Sequence, residues 1–312
     1  MRNFIILFEE KEGTSPLVRL LDNFNRISIV HQIDNSGWEP FDTHFCGAMP
    51  LSRLERCFEY LFNPAHLDME RLNYFYSQTA TKPLEWLDPD NAIGFKMRFR
   101  PPKSNFLAMG HFKKWNRAVS KIDALNHRNQ ERFKQSILDL LSRLNVVVFF
   151  AVRQDVLRWG LSKYHGDGTG KPGHLQFKLA SGKITKEKIG KIHVDCDRLD
   201  KVIRKCEQSH ANKQKLMAEF QQAGADVYPL LYEDFVNDKV NYFKRIGNIL
   251  ELDTSESEIE AAIARGGVFK KVHSNCISDF VINHQEVLDR FGDRFVDWKD
   301  QNIQQELLAR CS

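Results

Sequence analysis

Five short apolar runs, Phe4–Phe8, Ile27–His31, Ile93–Phe99, Val146–Val152 and Val227–Leu231, recur along this chain between longer amphipathic stretches. The runs are rich in β-branched and aromatic residues and read as strands. The stretches Leu51–Phe62, Met69–Gln78, Gln130–Leu144, Leu199–Ala223 and Phe235–Leu252 carry helical periodicity. Strands apolar on both faces and separated by helices predict an α/β fold: a three-layer α/β/α arrangement around a central parallel sheet of about five strands. In such sheets ligands sit beyond the carboxyl ends of the strands, where the loops gather.

A length of 312 residues accommodates one large α/β core with a helical extension. The sequence reads as a single domain over 1–312, with a helical and loop insertion at about 165–224. Within it, residues 165–182 (HGDGTGKPGHLQFKLASG) hold five glycines and a proline and predict a long loop or hairpin ahead of a polar helix, Asp195–Ala223. A net charge of +4 is too small to argue for nucleic acid but suits an anionic ligand. The longest apolar run, 145–152, falls far short of the roughly 20 residues that a membrane span needs. The chain enters a strand at once, with no cleavable signal, and its six cysteines have no metal spacing. Reduced thiols in a cytoplasmic protein, with no bound metal, are the expectation.

The segment after the first strand carries the most chemistry. Phe8–Val18 reads FEEKEGTSPLV: a Lys, a Gly, two hydroxyl residues and a helix start, in that order. Gly13 lets the backbone approach a ligand, Thr14 and Ser15 offer hydroxyls, and the first free N–H groups of the helix point the same way. Pro16 suits the first turn, where its missing N–H would be an orphan in any case. This is not the nucleoside-triphosphate loop, which has a Lys between its last Gly and the hydroxyl residue and a further Gly five positions earlier. Here Thr14 follows Gly13 directly and Phe8 stands at the earlier position, so Lys11 has to act from the other side of the glycine. Three carboxylates, Glu9, Glu10 and Glu12, flank that Lys. Two like charges about 4 Å apart repel by roughly 1 kcal/mol in water, so Glu12 has to turn away from any bound anion or weaken its binding.

A second anion-holding element is written in Val147–Tyr164, VVFFAVRQDVLRWGLSKY. An apolar strand ends at Arg153, Asp155 stands where a helix N-cap belongs, and Ser162 follows nine residues after Arg153. The Arg offers a bidentate fork and the Ser a hydroxyl to one anion. Pairing of Arg153 with Asp155 is the structural alternative.

The pair of elements, strand–Lys–x–Gly–Thr–Ser–helix and strand–Arg–x–Asp–Val–x(5)–Ser, resembles the sulfotransferase family. Pro229–Phe235 (PLLYEDF) and the helix after it look like that family's strand–Tyr–Glu–Asp–Leu segment, and Ile93–Met97 (IGFKM) is similar to the Gly-x-Lys strand of bacterial carbohydrate sulfotransferases. The resemblance touches about 250 residues in the family's chain order. It implies the P-loop-hydrolase-like sulfotransferase fold and use of 3′-phosphoadenosine-5′-phosphosulfate (PAPS) as sulfuryl donor, with no metal required. The first loop (Lys11, Gly13, Thr14, Ser15) would hold the 5′-phosphosulfate, and Arg153 and Ser162 the 3′-phosphate. Tyr232 falls in the matching Tyr–Glu–Asp segment. Gly266–His273 looks like the family's segment that closes over the nucleotide, which brings Lys270 and Lys271 to the 3′-phosphate.

Sulfuryl transfer needs a base for the acceptor's proton and a cation for the leaving oxygen. Lys11 suits the second task. Residues 30–45 resemble the Gly-Glu-Pro-x-Glu stretch that supplies the catalytic carboxylate of carbohydrate sulfotransferases, which puts forward Glu39, then Asp42, with His44 as a third option. Lys96 and Arg98, two residues apart on one strand face, would meet the sulfate or an anionic acceptor. The acceptor implied is a carbohydrate or small hydroxylated metabolite. A nucleotide-dependent kinase, with the acidic cluster holding Mg²⁺, and a non-catalytic ligand-binding relative, suggested by Glu12, are the alternatives.

Overall fold

A computed structural model of the protein describes residues 1–9, 11–31, 51–62, 68–77, 84–85, 87–98, 135–168, 190–266, 276–296 and 298. Five strands form one sheet: β1 (Phe4–Leu7), β2 (Ile27–Ile29), β3 (Ala92–Met97), β4 (Val147–Val152) and β5 (Val227–Leu231). Their spatial order is β2-β3-β1-β4-β5 and every pairing is parallel. The predicted strands are all present, with ends shifted by no more than two residues.

The helices are α1 (Thr14–Leu21), α2 (Leu51–Phe62), α3 (Met69–Ser77), a helical run over 135–143, α4 (Val156–Gly168), α5 (Cys196–Gln222), α6 (Tyr232–Asn237), α7 (Lys239–Ile249), α8 (Glu256–Arg265) and α9 (His284–Phe291). Alternation along the strands sends side chains to two covered faces. Phe4, Ile6, Val147 and Phe149 pack with α1, α7 and α8 on one of them. Ile5, Leu7, Ile93, Phe95, Val148 and Phe150 pack with α2, α3, the 135–143 run and the end of α5 on the other. A third cluster joins α4, the first half of α5 and α9. The three-layer α/β arrangement is therefore as expected, and no helix among the described residues is long and apolar enough to cross a membrane. The four described cysteines are free thiols.

Two expectations need correction. The stretch Phe235–Leu252 is not one helix: Asp238 adopts φ −146°, ψ 88°, ending α6, and its carboxylate accepts from Asn241 N–H to cap α7. An Asp in mid-pattern competes with the helix for backbone N–H groups, and here the local bond prevails. Residues 165–168, read as the start of a loop, continue α4; residues 169–182 lie outside the described residues.

Gly94, central on β3, faces Phe4 across the β1–β3 pair. A Cβ there would lie 2.2 Å from the Phe4 ring, which is fully buried and packs edge-on against Phe149. Gly94→Ala is expected to destabilise the fold by about 1–3 kcal/mol, the usual range for overpacking a close-fitted core. Urea denaturation measures this, and an unchanged midpoint would contradict the packing described.

Candidate functional site

The sheet order fixes where a ligand can sit. From β1 the chain crosses through α1 to β2 on one side of the sheet, and from β4 it crosses through α4 and α5 to β5 on the other. β1 and β4 are neighbours, so their connections diverge and leave a crevice at their carboxyl ends. The 8–15 loop and Arg153 border that crevice.

The loop is a tight backbone turn. Lys11 and Gly13 both adopt left-handed conformations, φ 68° and 81°. Gly13 is the N-cap of α1 and, among the described residues, no side-chain bond caps that helix, so the N–H groups of Gly13, Thr14 and Ser15 are open to an outside acceptor. Pro16 follows in the first turn. A Cβ at residue 13 would lie 2.5 Å from the ring of Tyr232, the first residue of α6, so glycine is required both for the dihedral and for the space. Ser15 Oγ accepts from Lys96 Nζ at 2.9 Å, which leaves the Ser15 hydroxyl hydrogen free to donate elsewhere. Lys96 itself is 1% exposed on the α1 side of β3, its ammonium 4.7 Å from the Phe8 ring centroid; Arg98 sits over the same ring at 5.9 Å. The two are thus on one face, but Lys96 works from beneath Ser15.

Glu12 turns inward. It is 2% exposed and its carboxylate accepts from Lys213 Nζ at 2.5 Å and from Glu9 N–H at 2.6 Å. Burial pushes the Glu12 carboxyl above its usual range, and Lys213 opposes that shift. Removing Lys213 alone would strand a buried carboxylate, a loss of about 3–5 kcal/mol. The repulsion that three carboxylates threatened is in part cancelled, because one of them is matched below the loop; Glu10 lies outside the described residues.

Across the crevice, Arg153 is held at the end of β4. Its Nη1–H donates to Lys11 O at 3.2 Å, and its guanidinium lies 4.7 Å from the centroid of the Tyr232 ring. Its Nε is buried without a hydrogen-bond partner among the described residues. Asp155 does not take it: that carboxylate pairs with Arg158 at 3.0 Å and accepts from Arg158 N–H, capping α4 as its position suggested. Ser162 sits half-buried in the second turn of α4, with no hydrogen bond to Arg153 among the described residues. His165 lies one turn further on; burial, and secondarily the charge of Lys11, push its imidazole below the usual value.

The backbone around Arg153 is clamped by residues that the sequence reading did not single out. Glu233, beside Tyr232, accepts from the N–H groups of both Gln154 and Asp155 at 3.1 Å. His210 on α5 contacts Arg153 O through Nε2 at 3.0 Å, while Trp298 Nε1–H donates to His210 Nδ1 at 3.2 Å. That acceptance fixes the proton of the neutral ring on Nε2, which donates to the carbonyl. Lys213, one turn on, donates to Ala151 O at 2.6 Å as well as to Glu12. A signal for these residues exists: Cys196, Leu199, Ile203, Cys206, His210, Lys213, Met217 and Phe220 form one buried stripe of α5, in which His210 and Lys213 interrupt the apolar run. A Lys on an apolar stripe must find an anion.

Lys11, Gly13, Thr14, Ser15, Arg153 and Tyr232 therefore gather at one crevice, with Lys96 below. Glu39, Asp42, His44, Lys270 and Lys271 lie outside the described residues.

His210 carries a pH consequence. Burial, then the nearby Lys213 charge, lowers its pKa from 6.5 to about 4. The unfolded chain takes up this proton first as pH falls, so the stability present above pH 6.5 is lost on the way down to about 4, to an extent of ~3 kcal/mol. In His210→Gln that part of the acid slope is expected to vanish in urea denaturation run across this range. Equal slopes for parent and variant would show that the ring is not held neutral.

No protein-family model matches the sequence, and no curated protein does. Among solved structures the chain is similar to mouse sulfotransferase SULT7A1 complexed with PAP, with a TM-score of 0.40 and 11% identity over 99% of this chain and 89% of that one. It is also similar to sulfotransferase STF9 from Mycobacterium avium, with a TM-score of 0.34 and 12% identity over 94% of this chain and 75% of that one.

Proposed function

We propose that the chain is a PAPS-dependent sulfotransferase that acts on a hydroxyl or amine of a carbohydrate or small metabolite. The observation that carries this reading is Arg153: a guanidinium tethered to the loop carbonyl of Lys11 and laid on Tyr232, with a buried Nε–H that no described residue accepts. It faces a helix start with no side-chain cap among the described residues, across a crevice at the switch point of the sheet. Two anion-holding elements on one crevice suit a donor with two anionic ends.

In this reading the Gly13, Thr14 and Ser15 N–H groups and the Ser15 hydroxyl hold the 5′-phosphosulfate, and Arg153 with Ser162 holds the 3′-phosphate. Lys270 and Lys271 add charge to the second site. PAPS, when bound, supplies the sulfuryl group. Lys11 steadies charge on the phosphate oxygen that is left behind, and Lys96 keeps Ser15 oriented for it. Glu39 takes the acceptor's proton, with Asp42 next and His44 third as candidates for that task. Burial of Glu12 against Lys213 also removes the best support for a non-catalytic relative and takes one carboxylate away from a cation-binding kinase loop.

Calorimetric titration with adenosine 3′,5′-bisphosphate (PAP) and with ATP, both without metal, tests the proposal. Binding of PAP, weakened by two orders of magnitude or so in Arg153→Ala as expected for a lost charged bidentate contact, with ATP ignored, is the expected result. Binding of ATP alone, or of neither, would refute it. In an acceptor screen Glu39→Ala should lower kcat by roughly 10²–10⁴ while leaving PAP affinity intact; unchanged turnover there moves the base to Asp42 or His44.

A further inference from the structure

We propose that α5 is the spacer that sets the distance between the two anion-holding elements of the crevice, with Lys213 and His210 as its two positioning residues. The inference rests on the donor reading above. Lys213 fixes the loop by holding the Glu12 carboxylate, and the same ammonium holds Ala151 O at the end of β4. His210, three residues earlier on the same buried stripe, holds Arg153 O. Loop and Arg153 are therefore both referenced to one rigid helix, by contacts less than a turn apart along it.

Neither residue reaches the crevice. His210 is 2% exposed, enclosed by Trp159 and Trp298, and the Lys213 side chain is 9% exposed with its ammonium 5.7 Å from the Trp159 centroid. They act through the backbone of Arg153 and the carboxylate of Glu12. Glu12 in turn accepts the Glu9 N–H, so the pin on α5 reaches the start of the turn that shapes Gly13. Displacements of about 1 Å in positioning groups suffice to change binding and rate by large factors. A donor with anions at both ends senses the spacing, whereas a ligand that uses one end does not. Selectivity for a bisphosphate over a monophosphate is thus the property that α5 governs.

The test compares PAP with adenosine 5′-phosphate on the full chain and on three variants: the double variant Glu12→Gln with Lys213→Met, which leaves no stranded charge, then His210→Leu and His210→Gln. Loss of PAP affinity by roughly tenfold or more in the double variant and in His210→Leu, with adenosine 5′-phosphate little changed, is expected. His210→Gln, which retains an N–H donor, should stay near the parent. Equal losses for both nucleotides, or none, would overturn the spacer. Hydrogen exchange without nucleotide reads the clamp independently: amides in 9–17 and 150–156 should exchange faster in the double variant, and those of α8 should not. Unchanged protection in 9–17 overturns the proposal even where PAP binds. Should the parent bind no PAP, the donor reading fails, while the exchange result still decides whether α5 holds the loop.

Discussion

The carboxylate of Glu12 and the ammonium of Lys213 meet beneath the loop that follows β1, and the geometry of the crevice depends on that meeting. The loop's other side chains do little to hold it: Lys11 is exposed, Gly13 has none, and Lys11, a non-glycine residue in the left-handed region, makes the turn costly to form. Glu12 converts this short turn into a fixed element by receiving the Glu9 N–H at its start and Lys213 from across the sheet end. The charges lie where water cannot compete, so each bond is strong, and the loss of either partner would leave the other uncompensated.

From that anchor the rest of the crevice can be followed outward. With the turn fixed, Gly13 lies against Tyr232, Tyr232 supports the Arg153 guanidinium, and Arg153 returns a hydrogen bond to Lys11 O. The circuit joins the ends of β1, β4 and β5, three adjacent strands. Glu233 and His210 close it from behind by taking up the backbone groups next to Arg153. Fixed dipoles and N–H groups at such a place can hold an anion without reorganising.

Much of this is legible in the sequence because it is local. The strands announce themselves by apolar content, the helix cap at Asp155 by residue type, and the Gly13–Thr14–Ser15 turn by its place between strand and helix. What the sequence conceals is pairing at long range. Glu12 reads as a liability because Lys213 is 201 residues away. Lys96 reads as a residue at the sheet's ligand edge, since strand periodicity gives its face and says nothing of the Ser15 hydroxyl waiting there. The break at Asp238 is hidden for the opposite reason: a periodic pattern runs through it, and only the cap bond to Asn241 shows that the helix restarts. His210 and Lys213 could have been found, since their place on the eight-residue stripe of α5 is plain once burial is asked of each position.

That stripe also bears on why an ion pair is there at all. Burying two charges is expensive, and well-packed apolar side chains in their place often give an equally or more stable fold. An apolar pair, however, would hold the loop by non-directional contact and leave its turn free to slide. Lys213 makes bonds to Glu12 and to Ala151 O at once, so it fixes the loop relative to β4 and not merely against the core. His210 does the same for Arg153 with one N–H, kept neutral by burial and kept in one tautomer by Trp298. Directional bonds at two positions of one helix define a distance, whereas apolar packing defines only a volume. For the donor proposed above, with two anions of fixed separation, the distance is the quantity that matters.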